Sequence, residues 1–168
     1  MHERRPQRTR LVVAAAIGAV GVVLAGAAIA TPGLNAVGVT EARGTLGEDQ
    51  IVNSKSGVHL KTKGSVDVAT QKITIQGGGH TGWHSHPGPV LVTIKEGALR
   101  VIYADDETCE GTLYETGDSF IDRGDANVHI ARNASATDPI VLWATYLVPG
   151  TPVTTGFRID VPTAPSNC

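Results

Sequence analysis

The sequence predicts an all-β fold in which short antiparallel strands form a barrel or a sandwich. Apolar residues recur at every second position along residues 54–148, and no stretch there has the roughly 3.6-residue period of an amphipathic helix. Turn residues separate these runs at roughly 8–12-residue spacing, which is typical of sandwiches and barrels. The 20 Gly and 9 Pro in 168 residues also suit short strands better than long helices.

Residues 1–30 have the layout of an export signal and predict an N-terminal hydrophobic helix. A basic stretch at residues 2–10 precedes an uncharged apolar run at residues 11–30, and the small residues 28–30 fit a cleavage site. The apolar run is also long enough, at roughly 20 residues, to stay in a membrane as an anchor. Both alternatives remain open. Either one predicts an exported, extracytoplasmic domain that is secreted or anchored to the membrane by residues 11–30.

Residues 31–53 are rich in Gly, Ala and Thr, and we expect a linker between this segment and the folded domain. The barrel is predicted to span residues 54–148. Three glycines at residues 77–79 interrupt its first strand, and an acidic turn at residues 105–107 closes its third. The predicted strands are residues 71–76, 90–94, 98–103, 112–114, 119–121, 128–131 and 140–148.

A proline-bearing tail at residues 149–168 follows the last strand, and it is expected either to wrap the barrel or to hang loose. The tail ends in one of the two cysteines, Cys168, while the other, Cys109, lies in the loop after Tyr103. An exported chain matures where disulfides persist, so these cysteines are candidates for a bond. Two unpaired thiols remain the alternative, because a sequence does not fix the distance between them.

The charge balance argues against nucleic acid as a partner. The formal net charge is −2 for the whole chain. The first 30 residues hold four Arg and one Glu, so the remaining residues keep ten basic and fifteen acidic groups. Binding to phosphates needs clustered Lys and Arg side chains, which this acidic domain lacks in its sequence.

Three histidines form the pattern with the clearest chemical meaning. His84 and His86 are separated by one residue, and alternate side chains of a strand share a face, so both imidazoles point the same way. Two such histidines can bind one metal ion in their neutral form, with His129 on another strand as the third ligand. His80 precedes them on a glycine-rich stretch. It is a candidate fourth ligand or a hydrogen-bonding neighbour, or else an exposed turn residue.

The chain here resembles the cupin superfamily. Gly78, His84, His86 and Gly97 match the glycine, the two histidines and the closing glycine of the first cupin motif. Val90 occupies the glutamate position of that motif and cannot bind a metal ion. This first motif is fairly specific, and the resemblance covers residues 70–148.

The second cupin motif is matched less completely. Gly117, His129 and Asn133 fit its glycine, histidine and asparagine, but Arg123 occupies its proline position. Asp125 lies near the place of its second glycine, and one extra residue precedes His129.

The resemblance implies a cupin-type double-stranded β-helix, or jelly-roll, barrel. It also implies one divalent metal ion held by His84, His86 and His129 with open positions, as in cysteine-dioxygenase-like cupins. Imidazole ligands suit Fe, Zn, Cu, Ni and, less well, Mn, so the sequence does not select the metal. Cupins are often dimers, which implies a homodimer here as well.

Three functions are compatible with this pattern. The chain could be an enzyme with dioxygenase, lyase or isomerase chemistry on a small oxygen- or thiol-bearing molecule. It could instead capture a small ligand without turnover, or act as a scaffold whose metal only stabilises the barrel. An open coordination site and a cavity with polar walls would favour the enzyme. A site closed by a fourth protein ligand such as His80 would favour the scaffold.

Overall fold

The computed structural model describes residues 33–149, 156–163, 165 and 168, and their regular structure consists entirely of β-strands. The predicted signal or anchor helix at residues 1–30 lies outside this part of the chain. Within it, no helix is long and apolar enough to cross a membrane. The prediction of an all-β fold is confirmed.

Twelve strands follow one another along the described chain, and seven of them cover the seven predicted ones to within a few residues, except that the first extends further at both ends. The strands are β1 Leu34–Leu46, β2 Ile51–Asn53, β3 His59–Lys61, β4 Val66–His80, β5 His84–Ser85, β6 Val90–Glu96, β7 Ala98–Tyr103, β8 Thr112–Glu115, β9 Ser119–Asp122, β10 His129–Asn133, β11 Ile140–Pro149 and β12 Ile159–Asp160.

Ten strands form one antiparallel sheet that curls into a nearly closed barrel, while β2 and β3 pair separately. The long strand β4 joins its parts: it pairs with β1 on one side, with β11 on the other, and through His80 with Arg132 of β10. The path through the sheet is β12-β5-β10-β4-β11-β6-β9. The strands β7 and β8 extend from β10.

The core lies on the inward face of these strands. On β11 every second side chain from Ile140 to Val148 is buried, and on β6 Val90, Val92 and Ile94 are buried while the residues between them are exposed. Burial of such side chains stabilises the barrel by roughly 1.5–3 kcal/mol each. Trp143 lies on the outer face of β11 and is half-buried.

The prediction of a linker over residues 31–53 is wrong for Leu34–Leu46, which form the 13-residue strand β1. This strand is exposed over most of its length, so it carries no apolar alternation in its sequence. It is held by the antiparallel backbone ladder to β4 and by side-chain contacts of Arg43 and Thr45 with the carboxylate of Asp67. An edge strand of this kind depends on its neighbour rather than on its own side chains.

The described part of the tail lies against the barrel. In β12, Ile159 pairs with Ser85 and Asp160 pairs with His84. Cys168 forms a disulfide with Cys109, and both cysteines pack on a small cluster around Trp83, Ile102 and Ile130. The described part of the tail therefore lies beside β5, which carries the candidate ligand His84.

Candidate metal centre

The structure brings the three predicted histidines together. His84, His86 and His129 are each 5% exposed, and one potential ligand atom from each lies within 4.8 Å of the other two. Their ring centroids are 4.4–5.3 Å apart. Neutral imidazoles this close, on a common side of the barrel, form a set of nitrogen donors suited to one transition-metal ion.

Strand pairing creates this cluster. His129, the first residue of β10, pairs directly with His84 in β5, so the two side chains lie side by side. His86 follows one residue beyond β5 and joins them on the same face, as the alternation of side chains predicts.

Hydrogen bonds fix the orientation of all three rings. The Nδ1–H group of His84 donates to the carbonyl of Gly82 at 2.9 Å, and that of His86 donates to the carbonyl of Phe157 at 2.6 Å. The Nδ1–H group of His129 donates to the carbonyl of Asn127 at 3.2 Å. A carbonyl can only accept, so Nδ1 must carry the proton, and Nε2 of each neutral ring keeps its lone pair for a metal ion.

The sequence matches no protein-family model, and no curated protein matches it either. Among solved structures, the chain is similar to a conserved protein with a double-stranded β-helix domain from Klebsiella pneumoniae, at 20% identity, over 56% of this chain and 75% of that chain, with a TM-score of 0.44. It is similar to a cupin-like protein from Thermotoga maritima at 19% identity, over 56% and 64% of the two chains, with a TM-score of 0.44.

Bacillus subtilis oxalate decarboxylase, a protein with Mn(II) centres, is also similar, at 18% identity over 56% of this chain and 24% of that chain, with a TM-score of 0.44. Identities this low assign neither a metal nor an activity to this chain. The nearly closed antiparallel barrel confirms the predicted fold.

His80 does not join the histidine cluster. It is half-buried, and its Nδ1 accepts a hydrogen bond from the backbone N–H of Gly82 at 3.0 Å. Because the carbonyl of the same glycine accepts from His84, His80 helps to hold the peptide that orients a cluster histidine. The structure thus places it behind the centre.

Asp122 is the site residue that sequence reasoning missed. It ends β9, is 1% exposed, and has Oδ2 at 3.2 Å from Nδ1 of His129. Its Oδ1 accepts a hydrogen bond from the N–H of Gly124 at 2.8 Å in a tight turn. Gly124 has φ +68°, and a Cβ there would lie 2.1 Å from the carbonyl oxygen of Gly88, so only glycine fits.

The extra residue that precedes His129, relative to the second cupin motif, lies in the same turn. Asp125 and Ala126 adopt φ values of 50° and 64°, and the N–H of Asn127 closes the turn on the carbonyl of Gly124 at 2.9 Å. Left-handed backbone is unusual for alanine and more common for aspartate. The turn thereby returns the chain to the register that places His129 opposite His84.

Two cavities meet at the histidines. An inner cavity of about 50 Å³ runs into the barrel between Val90, Val92, Phe120, Leu142 and Tyr146, and has mainly apolar walls. A larger outer cleft of about 500 Å³ is lined by polar side chains beside His84 and His86. Those polar side chains are Gln71, Thr81, Tyr146, Arg158 and Asp160.

Tyr146 lies where the two cavities join. Its ring is 5.3 Å from that of His86 and stacks on Phe157 at 5.0 Å. Burial raises the pKa of its hydroxyl to about 12, so the group stays protonated and can donate a hydrogen bond to a molecule in the cleft.

Burial keeps the three imidazoles neutral. It lowers the pKa of His84 to about 2, with added repulsion from His129 and Arg158, and lowers the pKa of His86 to about 4. Burial also lowers the pKa of His129. Neutral imidazole is the form that binds metal, so no proton has to be displaced from Nε2 near neutral pH.

We expect the metal-free protein to lose stability as the pH falls below about 6.5. The unfolded chain then binds protons at its histidines, while the folded chain does not until much lower pH, so the free energy of unfolding decreases. The loss should approach roughly 1.4 kcal/mol per buried histidine per pH unit, until His86 titrates near pH 4. Urea unfolding at several pH values measures it. His86→Gln should reduce the slope by one histidine's share, and an equal slope would contradict the prediction.

Proposed function

We propose that this protein binds one divalent transition-metal ion through Nε2 of His84, His86 and His129 and acts on a small molecule at that ion. The observation that carries the proposal is the set of three buried, neutral imidazoles with every Nδ1–H tied to a backbone carbonyl. Such a preorganised donor set fits Fe, Mn, Zn, Ni or Cu.

The donor set supports an open centre. The cluster found among the described residues contains three histidines, and His80 points its Nδ1 to Gly82 instead. Three protein ligands leave positions for water or substrate, which is typical of catalytic rather than structural sites. A bound metal ion of this kind supplies Lewis acidity or a site for dioxygen.

The two cavities support a division of roles around the centre. The outer cleft is large enough for a small organic molecule, and Arg158, Tyr146 and Gln71 offer it hydrogen-bond donors. The inner cavity of about 50 Å³ is suited to water or a diatomic gas. Apolar walls that exclude bulk water on this side favour a dioxygenase-like reaction within the proposal.

Capture of a small ligand without turnover is the second candidate. Tyr146 lines both cavities, and the ring of Tyr103 lies 5.6 Å from that of His129. Burial raises the pKa of both hydroxyls, so neither serves as a general base near neutral pH. A protein that only binds its ligand needs hydrogen-bond donors such as these hydroxyls and does not need a general base.

Elemental analysis of the protein, purified without a histidine tag or chelator, tests the proposal. We expect about one equivalent of a transition metal per chain, removable by a chelator and restored by adding the ion back. Iron would favour dioxygen chemistry, and zinc would favour lyase, hydrolytic or structural roles. A chain that takes up none of the five ions would contradict the proposed function.

A further inference from the structure

Only one oxygen of the Asp122 carboxylate has a hydrogen bond of normal geometry among the described residues, although the side chain of Tyr103 lies close to the carboxylate. Oδ1 accepts from Gly124, whereas Oδ2 makes no hydrogen bond to any residue in the described part of the chain. This oxygen is buried beside His129 and forms part of the wall of the inner cavity. A buried polar atom without a partner is costly, and it is rare unless a ligand or a catalytic role explains it.

No Arg or Lys side chain among the described residues forms an ion pair with this carboxylate. The ion pairs made by Arg and Lys there involve Asp67, Glu96 and Asp160. The nitrogen beside Oδ2 is Nδ1 of His129, at 3.2 Å. A buried acid next to three neutral imidazoles makes a cavity that favours a cation.

We propose that Asp122 is the built-in counter-charge of the metal centre, a positioning residue that offsets part of the ion's charge from behind His129. The inference rests on the proposed function and adds a residue to it. Asp122 does not belong to the set of ligand atoms that lie within 4.8 Å of one another, so it acts through the field and through His129. Carboxylates behind metal-binding histidines raise the basicity of the ring and the affinity for the ion.

This role predicts effects of opposite sign with and without metal. In the metal-free protein the unpaired carboxylate lowers stability, and in the metal-bound protein it strengthens binding. A purely structural aspartate would stabilise both forms, and a bystander would change neither. Measuring one variant both with and without metal therefore distinguishes these three roles.

The test is Asp122→Asn, which keeps the volume of the side chain and an oxygen for the N–H of Gly124. We expect Zn²⁺ and Co²⁺ to bind roughly 10- to 100-fold more weakly, measured by competition with a coloured chelator. The metal-free variant should melt at a higher temperature than the metal-free parent. Asp118→Asn is the matched control, because Asp118 immediately precedes β9, has the same side chain and is exposed.

Three outcomes separate the possibilities. Equal metal affinity in the parent and in Asp122→Asn would overturn the inference and leave the proposed function intact. A metal-free variant that melts lower, or fails to fold, would also overturn it, because Asp122 would then be a structural residue. Failure of the parent to bind either ion would overturn the proposed function itself, and the inference with it.

Discussion

Replacing His129 with alanine is expected to abolish stoichiometric metal binding while leaving the barrel folded. The residue contributes one of three nitrogen donors, and the remaining pair, His84 and His86, cannot hold a divalent ion tightly against water. The main hydrophobic core does not include His129, so the fold should persist. Metal content should fall from about one equivalent to less than about a tenth, as measured by elemental analysis after gel filtration.

His59→Ala is the matched control for this loss. His59 is exposed on β3, where its Nδ1 contacts the side chain of Asn53, and it belongs to the separate two-stranded sheet. Its removal should leave the metal content unchanged. Full metal occupancy in His129→Ala would show that the assigned ligand set is wrong.

Removing the disulfide should produce the largest loss of stability that does not involve the core. The bond joins Cys109 to Cys168, 59 residues apart, and closing a loop of this length stabilises a protein by about 4 kcal/mol in the chain-entropy model. The Cys109→Ser/Cys168→Ser variant should therefore unfold at a lower urea concentration. Its urea dependence should also be steeper, since an unbridged unfolded chain exposes more surface.

Reductant supplies the control for this pair of substitutions. Dithiothreitol should lower the stability of the parent to the level of the double variant, and should leave the variant unchanged. A parent that is insensitive to reductant, or that matches the variant without it, would contradict a stabilising disulfide.

The strands and the histidine cluster could be predicted because both follow from local periodicity. On β6 and β11 the alternation of side chains shows in the sequence, since one face packs in the core. The same alternation places His84 and His86 on one side. The ladder to β1 could not be predicted, because an exposed strand gains its stability from backbone hydrogen bonds to β4 and has no pattern of its own.

Asp122 was not among the site residues predicted from the sequence. A signal was present: β9 alternates, so the inward position of Phe120 implies an inward position two residues later. The register adds to it, since Asp122 pairs with Val90, the position where the cupin resemblance expects a glutamate. The carboxylate of Asp122 thus lies beside that position, on the neighbouring strand. Its detection needs the pairing of β6 with β9, which is a long-range contact.

The C-terminal tail connects the histidine cluster to the Cys109–Cys168 disulfide. The carbonyl that accepts from His86 belongs to Phe157, on the segment that the Cys109–Cys168 bond tethers to the barrel. Because the disulfide tethers this segment, it raises the effective concentration of the Phe157 carbonyl beside the ring of His86. Reduction of the bond would weaken this hold on the ring of His86. If the three histidines bind a metal ion as proposed, metal affinity and the thiol–disulfide equilibrium would be thermodynamically coupled.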